Sequence, residues 1–241
     1  MKYYITQHYT IEHKELYDLT SPINKKYAED NTFEYVSSDI KRCPERAAWW
    51  EKIAWLKEFL SSIEDGSYVV YQDCDSISVG GDLKSLLHEG SEWGQVELRS
   101  GFGGRTPNGW FNAGVIILIN TQDVRDFLQR VWDRNDDTDE TSINKEIKSQ
   151  NGTIGRGKKV TSLDVELNCW NNNKHLASDI IIKSWHGITY QDKINLIKDE
   201  YRDLFGELEF FDNDSIFFKY HDFLVYIIEK IISFFTITKC S

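Results

Sequence analysis

Short β-prone apolar runs alternate along this chain with longer stretches whose apolar residues recur every three or four positions. The first rhythm predicts strands, and the second predicts helices that bury one face. Residues 2–6 read as a strand, followed by a polar turn at Gln7-His8-Tyr9 and a helix from Glu12 to Asn24. Phe33-Glu34-Tyr35-Val36 is a second strand, so the chain opens β–α–β. The clearest helical period lies at 45–63, where Ala48, Trp49, Ile53, Leu56, Leu60 and Ile63 form one apolar face and Asp65-Gly66 is the stop. Tyr68-Val69-Val70-Tyr71-Gln72 is a continuous β-prone run that leads directly into Asp73-Cys74-Asp75. A second apolar strand spans Trp110 to Asn120 and begins with Asn112-Ala113-Gly114. A helix from Asp123 to about Asn135 is amphipathic through Phe127, Leu128, Val131 and Trp132. Thr138 caps the next helix, which runs through Ile147, and Asp139 and Glu140 suit its first turn. A third strong strand, Ile180 to Trp185, ends in His186-Gly187.

Apolar runs this continuous are buried on both faces, which is the habit of parallel strands covered by helices. The expected fold class is therefore α/β, with a mostly parallel sheet flanked by helices. Ligands bind such sheets outside the carboxyl ends of the strands. Three polar devices then fall on one edge: Asp73 with Asp75, Asn112-Ala113-Gly114, and His186-Gly187. With the chain still extended, Asp73 and Asp75 share a side and Cys74 faces the other way. Two adjacent carboxylates repel unless a cation joins them, and hard oxygen donors suit Mg²⁺ or Mn²⁺ with a phosphate. Each device has a plainer account in isolation: solvated aspartates, a satisfied asparagine, a structural histidine. Ser78-Val79-Gly80-Gly81-Asp82 matches neither a P-loop nor a dinucleotide fingerprint.

A net charge of −11 argues against a nucleic-acid binder, because neutralising phosphates needs a basic face. Cys43, Cys74, Cys169 and Cys240 are too dispersed for a disulfide framework and read as free thiols in a reducing compartment. The first residues look like a strand rather than a signal peptide, so the expected location is cytoplasmic. Residues 217–237 are strongly apolar but interrupted by charges, which suits a helix packed on the domain or against a partner, with one lying in a membrane interface as the alternative, better than a membrane span.

The same residues carry a family resemblance. Tyr27-Ala28, Trp50-Glu51-Lys52-Ile53, Asp73-Cys74-Asp75, Asn112-Ala113-Gly114-Val115, Asp139-Glu140 with Asn144, Leu167-Asn168-Cys169-Trp170 and His186-Gly187 come in the order and spacing of a GT-A-fold glycosyltransferase. The chain resembles the galactosyl- and mannosyltransferase type over roughly residues 2–190, and its size resembles small glycosyltransferases of large DNA viruses that infect algae. The resemblance implies a GT-A domain over 1–206 and an apolar helical extension over 207–241. It implies transfer of a hexose or deoxyhexose from a nucleotide sugar, with UDP favoured, to a glycan hydroxyl, with Mn²⁺ or Mg²⁺ as cofactor. Asp75, Asp73 and His186 would hold the metal, while Thr6, Lys52, Asp73, Asn112, Ala113, Gly114 and Gly187 would bind the donor. Asp139 and Glu140 would serve catalysis on the acceptor side, where the family often has Asp-Gln. Many relatives carry an N-terminal membrane anchor that is not seen here.

Two other readings share part of this pattern. A strand followed by Asp-x-Asp also opens haloacid-dehalogenase-type phosphatases, but Ile77 stands where those enzymes usually have Thr or Val. A non-catalytic glycan- or nucleotide-binding module would keep the fold without turnover.

Overall fold

A computed structural model describes residues 1–86, 92–97, 110–155, 158–163, 167, 180–185 and 188–205. In chain order the main elements are β1 (Tyr3–His8), α1 (Lys14–Asp30), β2 (Glu34–Ser38), α2 (Glu51–Ser62), β3 (Tyr68–Gln72), β4 (Ser76–Ser78) and β5 (Trp93–Glu97). There follow β6 (Phe111–Ile119), α3 (Gln122–Arg134), α4 (Asp139–Ser149), β7 (Thr153–Gly155), β8 (Lys158–Leu163), β9 (Ile182–Ser184) and α5 (Tyr190–Phe205). The chain divides into two units, Met1–Lys198 and Asp199–Ser241. Of the second, only residues 199–205 are described, so the sequence boundary at 206/207 and the apolar stretch 217–237 lie outside the described residues. Among the described residues no helix is long and apolar enough to cross a membrane.

The seven-stranded sheet has the order β2-β1-β3-β6-β5-β8-β7. β1 pairs in parallel with β2 and β3, and β5 pairs in parallel with β8. β6 runs antiparallel to both β3 and β5, and β7 runs antiparallel to β8. Most strands therefore share one direction, as expected, and the sheet is flanked by helices.

The central strands alternate cleanly. Tyr4, Val69, Tyr71, Ile116 and Leu118 join Ile53, Leu56, Phe127 and Leu128 in one buried cluster. Ile5, Val70, Val115 and Ile117 point the other way, into a second cluster with Tyr27, Ala28 and Phe33. Side chains alternate across a strand, so burying both faces demands unbroken apolar runs. The runs at 68–72 and 111–119 meet that demand.

Three expectations change. The run Ile180–Trp185 does not join the main sheet; β9 pairs antiparallel with β4 in a two-stranded ribbon, and the Ser76 and Ser184 hydroxyls meet at 2.7 Å. The helix expected over 45–63 starts at Glu51, after a 3-10 turn at Ala48–Trp50 closed by Trp50 N–H on Ala47 O at 2.9 Å. That turn rotates the register, so Trp50 is buried and Trp49 is 47% exposed. The first helix continues past Asn24 to Asp30, because Tyr27 and Ala28 still bury against the sheet.

Candidate active site

The site is built where β3 ends. The chain does not stay extended there: it turns, and Ser76 N–H bonds to Asp73 O at 3.0 Å. Asp73 and Asp75 therefore sit at two corners of a turn rather than side by side on a strand. Side chains from elsewhere hold the turn's carbonyls. Gln7 Nε2 donates to Asp73 O at 3.1 Å, Thr20 Oγ1 to Cys74 O at 2.9 Å, and Asn24 Nδ2 to Ser76 O at 2.9 Å. Asn24 Oδ1 also accepts Ser78 N–H at 2.7 Å. On the other side, Asp73 N–H donates to Gly114 O at 2.8 Å and Trp185 N–H to Asp75 O at 3.2 Å. Gly81 closes the ribbon beyond the turn: its φ is +72°, and a Cβ there would stand 2.6 Å from Ile181.

The antiparallel direction of β6 is what brings Asn112-Ala113-Gly114 here. Their strand begins, rather than ends, at the carboxyl edge of β3. Asn112 Oδ1 accepts Gly114 N–H at 2.8 Å. Asn144 fixes the start of the strand, accepting Phe111 N–H at 2.7 Å and donating to Phe111 O and Glu140 O, each at 2.9 Å.

The two carboxylates have different partners. Asp73 meets Lys52 at 2.9 Å and accepts the Tyr71 hydroxyl at 3.0 Å. The Lys52 ammonium also donates to Ala113 O at 2.7 Å and lies 3.2 Å from Asp139 Oδ2. Both Lys52 and Asp139 are buried. Burial alone would lower the Lys52 pKa, but the Asp139 and Asp73 charges outweigh it and the net shift is upward. One ammonium between two carboxylates leaves the cluster a net negative charge. Burial, then the Asp73 charge, keeps the Tyr71 phenol protonated as a donor. Burial, then the charges of Asp75 and Asp73, likewise pushes the Cys74 thiol up. Asp75 instead pairs with Lys193 on α5, at 2.5 Å.

Lys52, Tyr71, Asp73, Cys74 and Asp75 line a cleft of about 430 Å³. His8, Tyr9, Thr10 and His13 of β1 and the turn after it line it as well, with Trp49, Ile188, Tyr190 and Lys193. His8 is buried, its Nε2 lies 3.1 Å from Ile40 O, and burial lowers its pKa. The Tyr190 ring centroid lies 6.2 Å from that of His13.

The expected residues are thus only partly gathered. Asp73, Asp75 and Lys52 line the cleft. Asn112, Ala113 and Gly114 lie behind it, bonded to Asp73, Lys52 and Glu140. Glu140 is half-buried and its Oε2 accepts Asn112 Nδ2 at 3.3 Å and Ala113 N–H at 3.2 Å. Thr6 is not in the cleft: it is fully buried in β1 and accepts Trp55 Nε1 at 2.9 Å. His186 and Gly187 lie outside the described residues. Lys193, Gln7, Thr20 and Asn24 were missed. For Thr20 and Asn24 a signal existed, since they fall on the same helical stripe as Leu16, Leu19, Ile23 and Tyr27, where a polar residue must find a partner.

Among the described residues no three His, Cys, Asp or Glu side chains cluster as a metal site. Two hard carboxylates facing one cleft, where Asp73, Asp75 and Asp139 outnumber Lys52 and Lys193, are still a donor set that suits Mg²⁺ or Mn²⁺. Lys193 currently supplies the positive charge at Asp75.

No family model and no curated protein matches the sequence. Solved structures do. A glycosyltransferase involved in glycosylation of the major capsid of PBCV-1 superposes with a TM-score of 0.66 at 12% identity, covering 83% of this chain and 100% of that one. The bifunctional glycosyltransferase WbbM superposes with a TM-score of 0.54 at 13% identity, covering 81% of this chain and 49% of that one. The galactosyltransferase LgtC, solved with donor and acceptor sugar analogues, gives 0.50 at 10% identity, covering 86% and 98%. The fold of this chain is the GT-A fold of glycosyltransferases.

Proposed function

We propose that this protein is a glycosyltransferase that moves a hexose or deoxyhexose from a nucleotide sugar, with UDP favoured, to a glycan hydroxyl. One observation carries the reading: on a glycosyltransferase fold, Asp73 and Asp75 line the cleft at the carboxyl edge of β3, each held by a lysine. Asp75 and Asp73 would hold Mn²⁺ or Mg²⁺, with His186 as a further candidate. When bound, the cation would neutralise charge on the departing nucleoside diphosphate. For that, Lys193 would leave Asp75, and its ammonium would be free to pair with the diphosphate.

Geometry divides the acidic pair of α4. Asp139 is buried against Lys52 and serves to hold that ammonium in place. Glu140 is the half-buried member, tied to the start of β6, and would be the one of the two to meet an acceptor hydroxyl. The Lys52 donors are occupied by Asp73, Asp139 and Ala113 O, so its part is to set the charge of the floor rather than to reach the donor's phosphates.

The test is nucleotide release from a panel of UDP- and GDP-sugars, with Mn²⁺ and with EDTA. Metal-dependent release from one donor supports the reading and names the sugar. Nucleotide and Mn²⁺ binding without release, even with glycan acceptors present, favours a binding module. Absence of nucleotide binding overturns the proposal.

A further inference from the structure

Each of the four carbonyls from Asp73 to Ser76 is held by a donor from a distant part of the chain. Gln7 Nε2 donates to Asp73 O at 3.1 Å, Thr20 Oγ1 to Cys74 O at 2.9 Å and Asn24 Nδ2 to Ser76 O at 2.9 Å. Trp185 N–H donates to Asp75 O at 3.2 Å. Gln7, Thr20 and Asn24 are fully buried. The Tyr35 hydroxyl donates to Gln7 Oε1 at 2.6 Å, which turns the amide so that its nitrogen faces Asp73 O.

Burial alone does not ask for this. Thr20 and Asn24 stand on the α1 stripe that carries Leu16, Leu19, Ile23 and Tyr27, where an apolar residue would bury without needing a partner. A helical threonine can also satisfy its hydroxyl on the carbonyl one turn back. Thr20 instead reaches a carbonyl 54 residues away. Asn24 uses both ends of its amide, since its Oδ1 also accepts Ser78 N–H at 2.7 Å. The peptide groups on the two sides of Asp75 are therefore both held, by Thr20 at Cys74 O and by Trp185 N–H at Asp75 O. Only rotation within the Asp75 side chain is left to set where its carboxylate lies. That carboxylate lines the cleft and meets Lys193. Groups that bind a ligand are held to within about 0.5 Å by buried hydrogen bonds behind them, and these bonds stand in that place.

Resting on the glycosyltransferase reading, we propose that Thr20 is a positioning residue for metal-dependent donor binding: its bond to Cys74 O sets the Asp75 carboxylate where a divalent cation meets it. Fully buried, Thr20 touches neither nucleotide nor cation and acts through Asp75. Gln7 with Tyr35 supports the same turn at Asp73, and Asn24 supports it at Ser76.

The experiment is calorimetric titration of UDP, in Mn²⁺ and in EDTA, into the wild type, Thr20→Val and Thr20→Ser, each first checked for a cooperative urea transition. Valine keeps the shape of threonine and loses the donor, whereas serine keeps the donor. A misplacement of about 1 Å can cost about 10²-fold, and a smaller one is expected here. The expected result is therefore UDP affinity about tenfold lower in Thr20→Val with Mn²⁺, unchanged in EDTA, and restored in Thr20→Ser. Wild-type affinity in Thr20→Val, a loss of equal size in Mn²⁺ and EDTA, or a loss that serine does not restore overturns the positioning role alone. Tyr35→Phe carries the test if Thr20→Val does not fold. It releases the Gln7 amide with Thr20 in place, and it should also lower UDP affinity in Mn²⁺ and not in EDTA; equal affinity in both overturns the proposal. A wild type that binds UDP equally with Mn²⁺ and with EDTA overturns it too, since Asp75 then meets no cation. A wild type that binds no UDP removes the functional reading together with the positioning role.

Discussion

Asp73 and Asp75 are two residues apart and carry the same charge, yet the protein surrounds them differently. Asp73 keeps 30% of its side chain exposed to the cleft, but its partners belong to the interior: Lys52 at 8% side-chain exposure, Asp139 at 6%, Tyr71 and the Ala113 carbonyl. Asp75 pairs with a lysine of another kind, Lys193, which reaches in from the first turn of the last described helix and keeps 20% of its side chain exposed. The first arrangement is built to persist, because breaking a buried ion cluster strands a charge. The second can be exchanged on the lysine side, because Lys193 keeps a fifth of its side chain in water, while Asp75, at 10% exposure, needs another cation in its place. A metal site that must fill and empty would use the second kind for its gate and the first for its floor.

The largest effect expected from this contrast is in Lys52→Met. It removes the shared cation and strands the buried Asp139 carboxylate beside Asp73, which costs about 3–5 kcal/mol. The readout is the urea midpoint at constant slope. A variant as stable as the wild type would mean that Asp139 does not depend on Lys52 for its counter-charge. Asp75→Asn should cost less, about 1–2 kcal/mol: the amide keeps a polar group at the buried position, and Lys193, at 20% side-chain exposure, can turn to water. Metal-dependent UDP binding should fall by roughly 10²–10³, the scale seen when one preorganised electrostatic contact is lost. Retained Mn²⁺-dependent binding in Asp75→Asn would remove Asp75 from the metal site.

How much of this was legible in the sequence follows the same division. The floor could be read. Val69, Val70 and Tyr71 announce a strand buried on both faces, and Asp73-Cys74-Asp75 announces its polar end. The sheet class followed from such runs, because burial on two faces leaves no room for alternation. Directions were less legible. Nothing in Phe111–Ile119 says that it runs antiparallel to β3, because an apolar run reads the same both ways. The placement of Asn112-Ala113-Gly114 at the site was therefore reached with the wrong strand direction. The turn at Cys74 was hidden for a related reason. It is held by Gln7, Thr20 and Asn24, 66, 54 and 52 residues away from their partners, and local propensity carries no record of such bonds. Trp49 and Trp50 were exchanged because one 3-10 turn shifts the helical phase. Lys193 gave no signal at all, being one lysine on a charged helix.

Lys193→Met sharpens the exchangeable side with a smaller effect. If the ammonium competes with a cation for Asp75, its removal should tighten Mn²⁺ binding to the nucleotide-free protein by about fivefold, near 1 kcal/mol. The same variant should bind UDP more weakly in the presence of Mn²⁺, since the freed lysine no longer faces the diphosphate. Isothermal titration of each ligand separates the two shifts. Unchanged Mn²⁺ affinity would show that Lys193 and the cation do not share a place.

The smallest effect lies on the pH axis. The Lys52 pKa is raised from 10.5, so its contribution to stability is complete below that value and is lost only as pH climbs through the folded one. Neutral or mildly acidic conditions leave that ammonium charged. His8 behaves the other way. Burial lowers it from 6.5, so as pH falls the unfolded chain takes up the proton before the folded one does. Its share of stability is complete above pH 6.5 and declines from there toward the lower folded value. His8→Gln can still donate to Ile40 O but cannot titrate. Relative to that variant, the wild type should lose under about 1 kcal/mol between pH 7 and pH 5, with the carboxylates common to both cancelling in the difference. Parallel stability curves would mean that His8 is protonated in the folded protein as easily as in the unfolded chain. The cleft wall at the β1–α1 turn would then be open to water rather than sealed by the Ile40 contact.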